Sequence, residues 1–148
     1  MGTSAITGTT RKAHTWCGPY ALALVSGLTY DQVYKKLLRN ANAQLHRFQP
    51  RIKYLTGVGL ELMERVSKTV KCKFEFTRVK GKPTLNQFMN ELRPNRIYVI
   101  HVTRHYLVVD TSDWTVCDNQ IQRWVSLPDY KYRLSRVRDY AEVRGHKL

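Results

Sequence analysis

The chain is short of cysteine, carboxylates, glycine, proline and long apolar runs, and each shortage removes a class of protein. There are three cysteines, Cys17, Cys72 and Cys117. An odd count at wide, unrelated spacings, with no Cys-x-x-Cys pair, excludes a disulfide scaffold and a zinc ribbon and leaves free thiols as the expectation. No stretch approaches the ~18 consecutive apolar residues of a membrane span. Residues Met1 to Arg11 hold no apolar core of a signal peptide, so secretion is not expected and the cytoplasm is the default compartment. Glycine (8) and proline (5) are sparse, and with no repeat or linker-like tract the collagen-like and low-complexity classes are excluded. Asp and Glu total 11 against 25 Lys and Arg, a net charge of +14, which favours polyanions or acidic protein surfaces as partners.

What is present suits a single domain spanning residues 1–148: 43% hydrophobic and 11% aromatic residues are enough to build one core. Gly18 to Ser26 is apolar nearly all round, with Pro19 in the first turn and Gly27 placed to stop it, which predicts a buried helix beginning at Cys17. Thr29-Tyr30-Asp31-Gln32 has the form of a capping box and opens an amphipathic helix to Arg39. A third helix is expected over Thr56 to Ser67. From Val70 to Phe76 the period changes to two, with Val70, Cys72, Phe74 and Phe76 on one side, which predicts a half-buried strand. Thr84-Leu85-Asn86-Gln87 is a second capping box, opening a helix that Pro94 ends. Ile97 to Thr103, His105 to Asp110 and Trp114 to Asp118 read as strands, the last two joined by Thr111-Ser112-Asp113 as a hairpin. Tyr130 to Val143 fits a strand and a helix about equally. Helices followed by mostly consecutive strands predict an α+β fold with an antiparallel sheet.

Cys17 stands directly before a helix N-terminus, where unpaired N–H groups and the positive dipole end favour thiolate over thiol. Its own backbone amide is placed to hold an oxyanion formed when the sulfur attacks a carbonyl. A thiol nucleophile needs a base, and there are five histidines. His46 lies in a basic loop, His146 is beside the C-terminus and His14 is very near Cys17 in sequence. His101 reads as a satisfied sheet residue. His105, opening a strand, has room to reach from the sheet edge. An orienting acceptor should come from the neighbouring strand. A three-residue loop sets Asn119 opposite His105, whereas a shift of one residue sets Asp118 there; Asp118 is preferred because only a carboxylate also stabilises the imidazolium by charge.

Trp16-Cys17-Gly18-Pro19-Tyr20-Ala21-Leu22, the helix pair, the Thr-Leu-x-x-Phe helix, Tyr98-Val99-Ile100 followed by His105-Tyr106-x-Val108-Val109-Asp110, and Val116-x-Asp118 together resemble a papain-like cysteine peptidase of the bacteriocin-leader-processing, double-glycine type. The likeness spans most of residues 10 to 120. It implies a papain-like fold with the nucleophile at a helix start packed on an antiparallel sheet, and acyl transfer through a thioester: Cys17 attacks, His105 shuttles the proton and Asp118 orients it, with no cofactor and no metal. Peptide or isopeptide cleavage is the expected outcome, although the same machinery serves deamidation and transglutamination. The glutamine that the family usually carries six residues before the nucleophile is Arg11 here. The oxyanion role therefore falls to the Cys17 amide, with His14 or Thr15 as further candidates.

The expected partner is a protein or peptide substrate with an acidic surface. Nucleic-acid binding through Lys35, Lys36, Arg39, Arg47, Arg51, Lys53, Lys131, Arg133, Arg136, Arg138 and Arg144 is a weaker alternative, because these residues lie on several segments and match no known recognition motif. An inactive peptidase fold used for interaction is another, motivated by Arg11. Zinc held by His14, Cys17, His105 and Cys117 has undiagnostic spacing. A small, very basic chain is compatible with a viral or mobile-element protein acting inside a host cell.

Overall fold

In a computed structural model of the protein, residues 15–55 and 57–148 are described. The first helix, α1 (Cys17–Ser26), is buried at every residue from Gly18 to Ser26, as its all-round apolar character requires. It stops where Gly27 turns left-handed at φ 76° and donates its N–H to the Ala23 carbonyl, a conformation that costs glycine nothing. Helix α2 (Tyr30–Ala43) carries both halves of the expected capping box, Gln32 N–H to Thr29 Oγ1 at 3.1 Å and Thr29 N–H to Gln32 Oε1 at 3.0 Å. It runs a turn past the expected end at Arg39. Asn42 explains this, since its side chain binds Ile52 through both N–H and C=O at 2.7 and 3.0 Å, so the last turn is held by an amide clamp that leaves no apolar period to read. Helix α3 (Leu60–Thr69) buries Met63, Val66 and Ser67; it starts later than expected, and Thr56 lies outside the described residues.

The alternation over Val70 to Phe76 holds for burial, with Cys72 and Phe74 buried, but the expected strand there does not form. Val70 and Lys71 belong to the turn that closes α3, and the chain then runs to Phe76 without regular secondary structure, with Ser67 Oγ accepting the Phe74 N–H at 3.3 Å. The paired strand is β1 (Thr77–Arg78). Helix α4 (Leu85–Phe88) follows the second capping box and continues as a 3₁₀ turn, Met89–Glu91, so that Leu85, Phe88, Met89 and Leu92 are all buried.

The remaining strands are β2 (Ile97–Val102), β3 (His105–Asp110), β4 (Thr115–Cys117), β5 (Val125–Ser126) and β6 (Val137–Glu142), giving an antiparallel six-stranded sheet in the order β1-β6-β2-β3-β4-β5. The architecture is α+β. Strand β6 settles the ambiguous segment, and its bulge explains the ambiguity. His101 pairs with Asp139 while Val102 pairs with Val137, so Arg138 is an extra residue and Val137 and Ala141 join the cores on opposite sheet faces; no single period survives a bulge. Helices α1 to α3 cover Val99, Tyr106, Val108, Cys117 and Ala141 on one face. Helix α4 and the turn after it, with Leu127 and Tyr130, cover Ile100, Leu107, Val109 and Val116 on the other.

The β3–β4 register matches neither expectation. Val108 pairs with Cys117 and Asp110 with Thr115, so the connection has four residues, 111–114, closed by Trp114 at φ 58°. Thr111 is buried and bound back to Arg96 at 2.9 Å through its backbone N–H and through its hydroxyl. That contact continues the β2–β3 ladder by one pair and moves the reversal one residue on. Among the described residues no helix is long and apolar enough to cross a membrane.

Candidate active site

Cys17 is the first residue of α1, and the residue before it, Trp16, is extended and provides no side-chain cap. The entry to the helix is clamped from the far end of the chain. Asn119 Nδ2 donates to the Thr15 carbonyl at 2.6 Å, and the Thr15 hydroxyl donates to the Asn119 carbonyl at 3.4 Å and accepts from Gln122 Nε2 at 3.2 Å. The Trp16 amide donates to the Tyr30 hydroxyl at 2.9 Å. Gly18 completes the packing: a Cβ there would lie 3.0 Å from Val58 Cβ, so its absence lets the 57–59 loop sit against the helix start.

His105 opens β3 after the two-residue turn Thr103-Arg104, with Arg104 at φ 60°. Its Nε2 lies 2.8 Å from Asp118 Oδ2, and the Cys17 sulfur lies near enough to the ring for each to favour the charged form of the other, with Nδ1 the nitrogen left to face it. Residues 17, 105 and 118 thus come together as sulfur, imidazole and carboxylate. Asp118 lies just past β4. Continued along the ladder, the observed register would put Gln120 opposite His105, so the contact with Asp118 comes from a turn and not from strand pairing. In that turn Asp118 Oδ1 accepts the Gln120 and Ile121 amides at 3.0 and 2.9 Å, and its carbonyl accepts the Gln122 amide at 2.9 Å. Oδ2 accepts the Tyr130 hydroxyl at 2.7 Å besides His105. A fully buried carboxylate therefore has its acceptor sites filled. Asn119, the other orienting candidate, is engaged with Thr15, as is the Thr15 hydroxyl with Asn119 and Gln122. Arg11 and His14 lie outside the described residues.

The electrostatics follow from these contacts. Burial pushes the Cys17 thiol up, but the His105 hydrogen bond, the Tyr106 amide, the imidazolium charge and the Gly18 amide outweigh it and hold the thiol below its ordinary value of 9.0. Burial alone would lower His105; the hydrogen bonds and charges of Asp118 and Cys17 raise it from 6.5 to about 9. Asp118, pushed up by burial, is held down by His105, the Ile121 amide and Tyr130. Cys72 and Cys117 differ: burial pushes both to about 12. The arrangement shifts Cys17 toward thiolate and His105 toward imidazolium, and it shifts the other two cysteines toward the protonated thiol.

Two contributors were not legible in the sequence. Tyr130 lies in the segment whose period was ambiguous. The Tyr106 amide reaches the sulfur because amides alternate sides along β3 and β4 ends at Cys117, before it could pair there. His101 bonds Asp139 at 2.9 Å and packs against the Tyr106 ring, and it takes no part in the contacts of His105 and Asp118. Among the described residues no group of three or more His, Cys, Asp or Glu side chains is arranged to hold a metal ion. No family model, curated protein or solved structure matches this chain.

Proposed function

We propose that the protein is a cysteine peptidase with a papain-like fold, cleaving a peptide or isopeptide bond through Cys17, His105 and Asp118. The observation that carries this reading is the convergence of three residues distant in sequence, His105 bonded to Asp118 at 2.8 Å and coupled to Cys17, with only the helix-start thiol held below its ordinary value. In the first half-reaction the Cys17 thiolate adds to the carbonyl carbon, and the oxyanion so formed faces the Cys17 amide at the helix start. His105 gives its Nδ1 proton to the leaving nitrogen as the C–N bond breaks, leaving a thioester and a neutral imidazole. His105 then takes a proton from water as the water oxygen attacks the thioester, and the carboxylic acid leaves as the thiolate and imidazolium are restored. Asp118 keeps the ring oriented and stabilises its charged form throughout.

The expected substrate is a protein or peptide, in keeping with the +14 charge an acidic one, and the expected site of action is the cytoplasm. The test is labelling with an electrophilic peptide mimic followed by mass spectrometry. Cys17 should be modified at least tenfold faster than Cys72 or Cys117, as expected for thiols whose thiolate populations differ by more than about one pKa unit. Cys17→Ala and His105→Ala should remove turnover while leaving the fold intact. Equal modification of the three thiols, or turnover retained in Cys17→Ala, would overturn the reading.

A further inference from the structure

The charges around the candidate site are arranged unevenly. On the helix-covered face the carboxylates near the Tyr106 side chain are Glu64, which accepts the Phe76 amide at 3.4 Å, and Asp139, which is held by His101 at 2.9 Å. On the other side of the imidazole a cavity of about 220 Å³ is lined by the Thr103-Arg104 turn, His105, Gln120, Tyr132 and Ser135. Among the described residues no carboxylate lines it.

The polar groups of this cavity are biased toward donors. Tyr132 donates its proton to Gln120 Oε1 at 2.7 Å, which fixes the Gln120 amide with its NH₂ as the free end. The Thr103 hydroxyl accepts from Arg138 Nε at 3.4 Å and so keeps its own proton to give. Exposed Arg104 lines the cavity, the exposed Lys131 ammonium sits 4.8 Å above the Tyr132 ring, and the exposed Arg138 reaches the Thr103 hydroxyl. Among the described residues none of these three is in an ion pair. Oriented donors and unpaired cations around a small polar hollow are what a carboxylate requires.

The place of the cavity relative to the chemistry says which part of a substrate would enter it. A general acid must lie within hydrogen-bond reach of the nitrogen it protonates, so the departing segment passes along the imidazole edge, and the cavity begins there. Resting on the peptidase reading, we propose that the hollow beside His105 is a carboxylate subsite, seating an Asp or Glu side chain or a terminal carboxylate of the segment released in acyl transfer.

The test uses the full chain and two reagents that differ only in charge, iodoacetylglycine and iodoacetylglycinamide. The ratio of their rates at Cys17, read by mass spectrometry, cancels any general change in thiol reactivity. In Arg104→Asn/Lys131→Gln, where Asn suits the left-handed backbone at 104, the anionic preference should fall about fivefold, the size expected of two exposed charges acting across a protein surface. Added salt should reduce the wild-type preference in the same direction. An acidic peptide should slow alkylation of wild-type Cys17, and its lysine-substituted counterpart should not. To separate the two carboxylate sources, a peptide with an internal Glu and an amidated C-terminus is compared with a Glu-free peptide bearing a free C-terminus. An unchanged ratio in the double variant, or equal protection by acidic and basic peptides, overturns the subsite while leaving the peptidase reading intact. Stronger protection by a single-stranded oligonucleotide than by any peptide would assign the cations to nucleic acid instead. Three equally sluggish thiols would overturn the peptidase reading itself.

Discussion

Tyr130→Phe isolates one contact of the buried carboxylate. The Tyr130 ring is fully buried, and its hydroxyl donates at 2.7 Å to Asp118 Oδ2, the same oxygen that takes His105 at 2.8 Å. The substitution keeps the ring and deletes a hydrogen bond to a charged acceptor, worth about 1.5–3 kcal/mol. At 1.36 kcal/mol per pKa unit, that is a rise of roughly one to two units in the Asp118 carboxyl from its lowered position. The freed lone pair and fuller charge then hold the imidazolium more tightly, so His105 should move above about 9. The assay is the pH dependence of Cys17 alkylation by iodoacetamide. In the wild-type protein the thiolate–imidazolium pair gives way as pH rises through about 9; in the variant that inflection should lie higher, by roughly half a unit if a third of the lost interaction reaches the ring. The melting temperature should fall by several degrees, as about 2–4 °C per kcal/mol predicts for this size. If the two profiles superimpose while the melting temperature drops, Tyr130 only fills volume and the coupling through Asp118 is refuted.

Asp118→Asn should do less harm than Cys17→Ala or His105→Ala but still lower kcat by roughly 10² to 10⁴, because an amide NH₂ at the Oδ2 position faces two donors, His105 Nε2 and the Tyr130 hydroxyl; steady-state kinetics against any cleaved peptide would check it, and wild-type kcat would refute it. Gly18→Ala sets the overpacking of a Cβ 3.0 Å from Val58, costing about 1–3 kcal/mol, against a gain of about 1 kcal/mol in helix propensity. Urea denaturation should show a net loss of about 1 kcal/mol from these two effects, and Cys17 alkylation should change with the displaced 57–59 loop. His105 is raised in the folded state, so its contribution to stability is complete below pH 6.5 and is lost as pH rises through about 9. In Cys17→Ala, where no thiol titration opposes it and only Asp118 still raises His105, denaturant midpoints should fall between pH 6.5 and a point below about 9, and the further change His105→Ala should flatten the fall.

The ends of the elements were legible where a local rule acts alone. The Cys17 helix start, the Gly27 stop, the two threonine capping boxes and the strand from His105 to Asp110 depend on residues within a few positions of one another, and all stand as the sequence predicts. So does the burial of Cys72 and Phe74, although the ladder itself begins later, because alternation reports which side is covered and not whether a partner strand lies alongside. Cys17, His105 and Asp118 were nameable as candidates because each residue type stands at an element boundary: a thiol at a helix start, an imidazole at a strand start and a carboxylate after a strand end.

What the tertiary structure alone decided is how those boundaries meet. Both registers considered for the hairpin were wrong, yet Asp118 reaches His105 because its turn and Tyr130 carry it there once the ladder has ended. Strand β6 entered the middle of the sheet with a bulge that erased its periodicity. The Tyr106 amide, the Asn119 and Gln122 clamp on Thr15 and the donor-lined hollow beside His105 join segments some 100 residues apart in several cases. Side-chain periodicity is a property of neighbours along the chain; register, bulges and hydrogen bonds across the fold depend on which distant groups arrive at the same place, and that is set by packing the whole molecule.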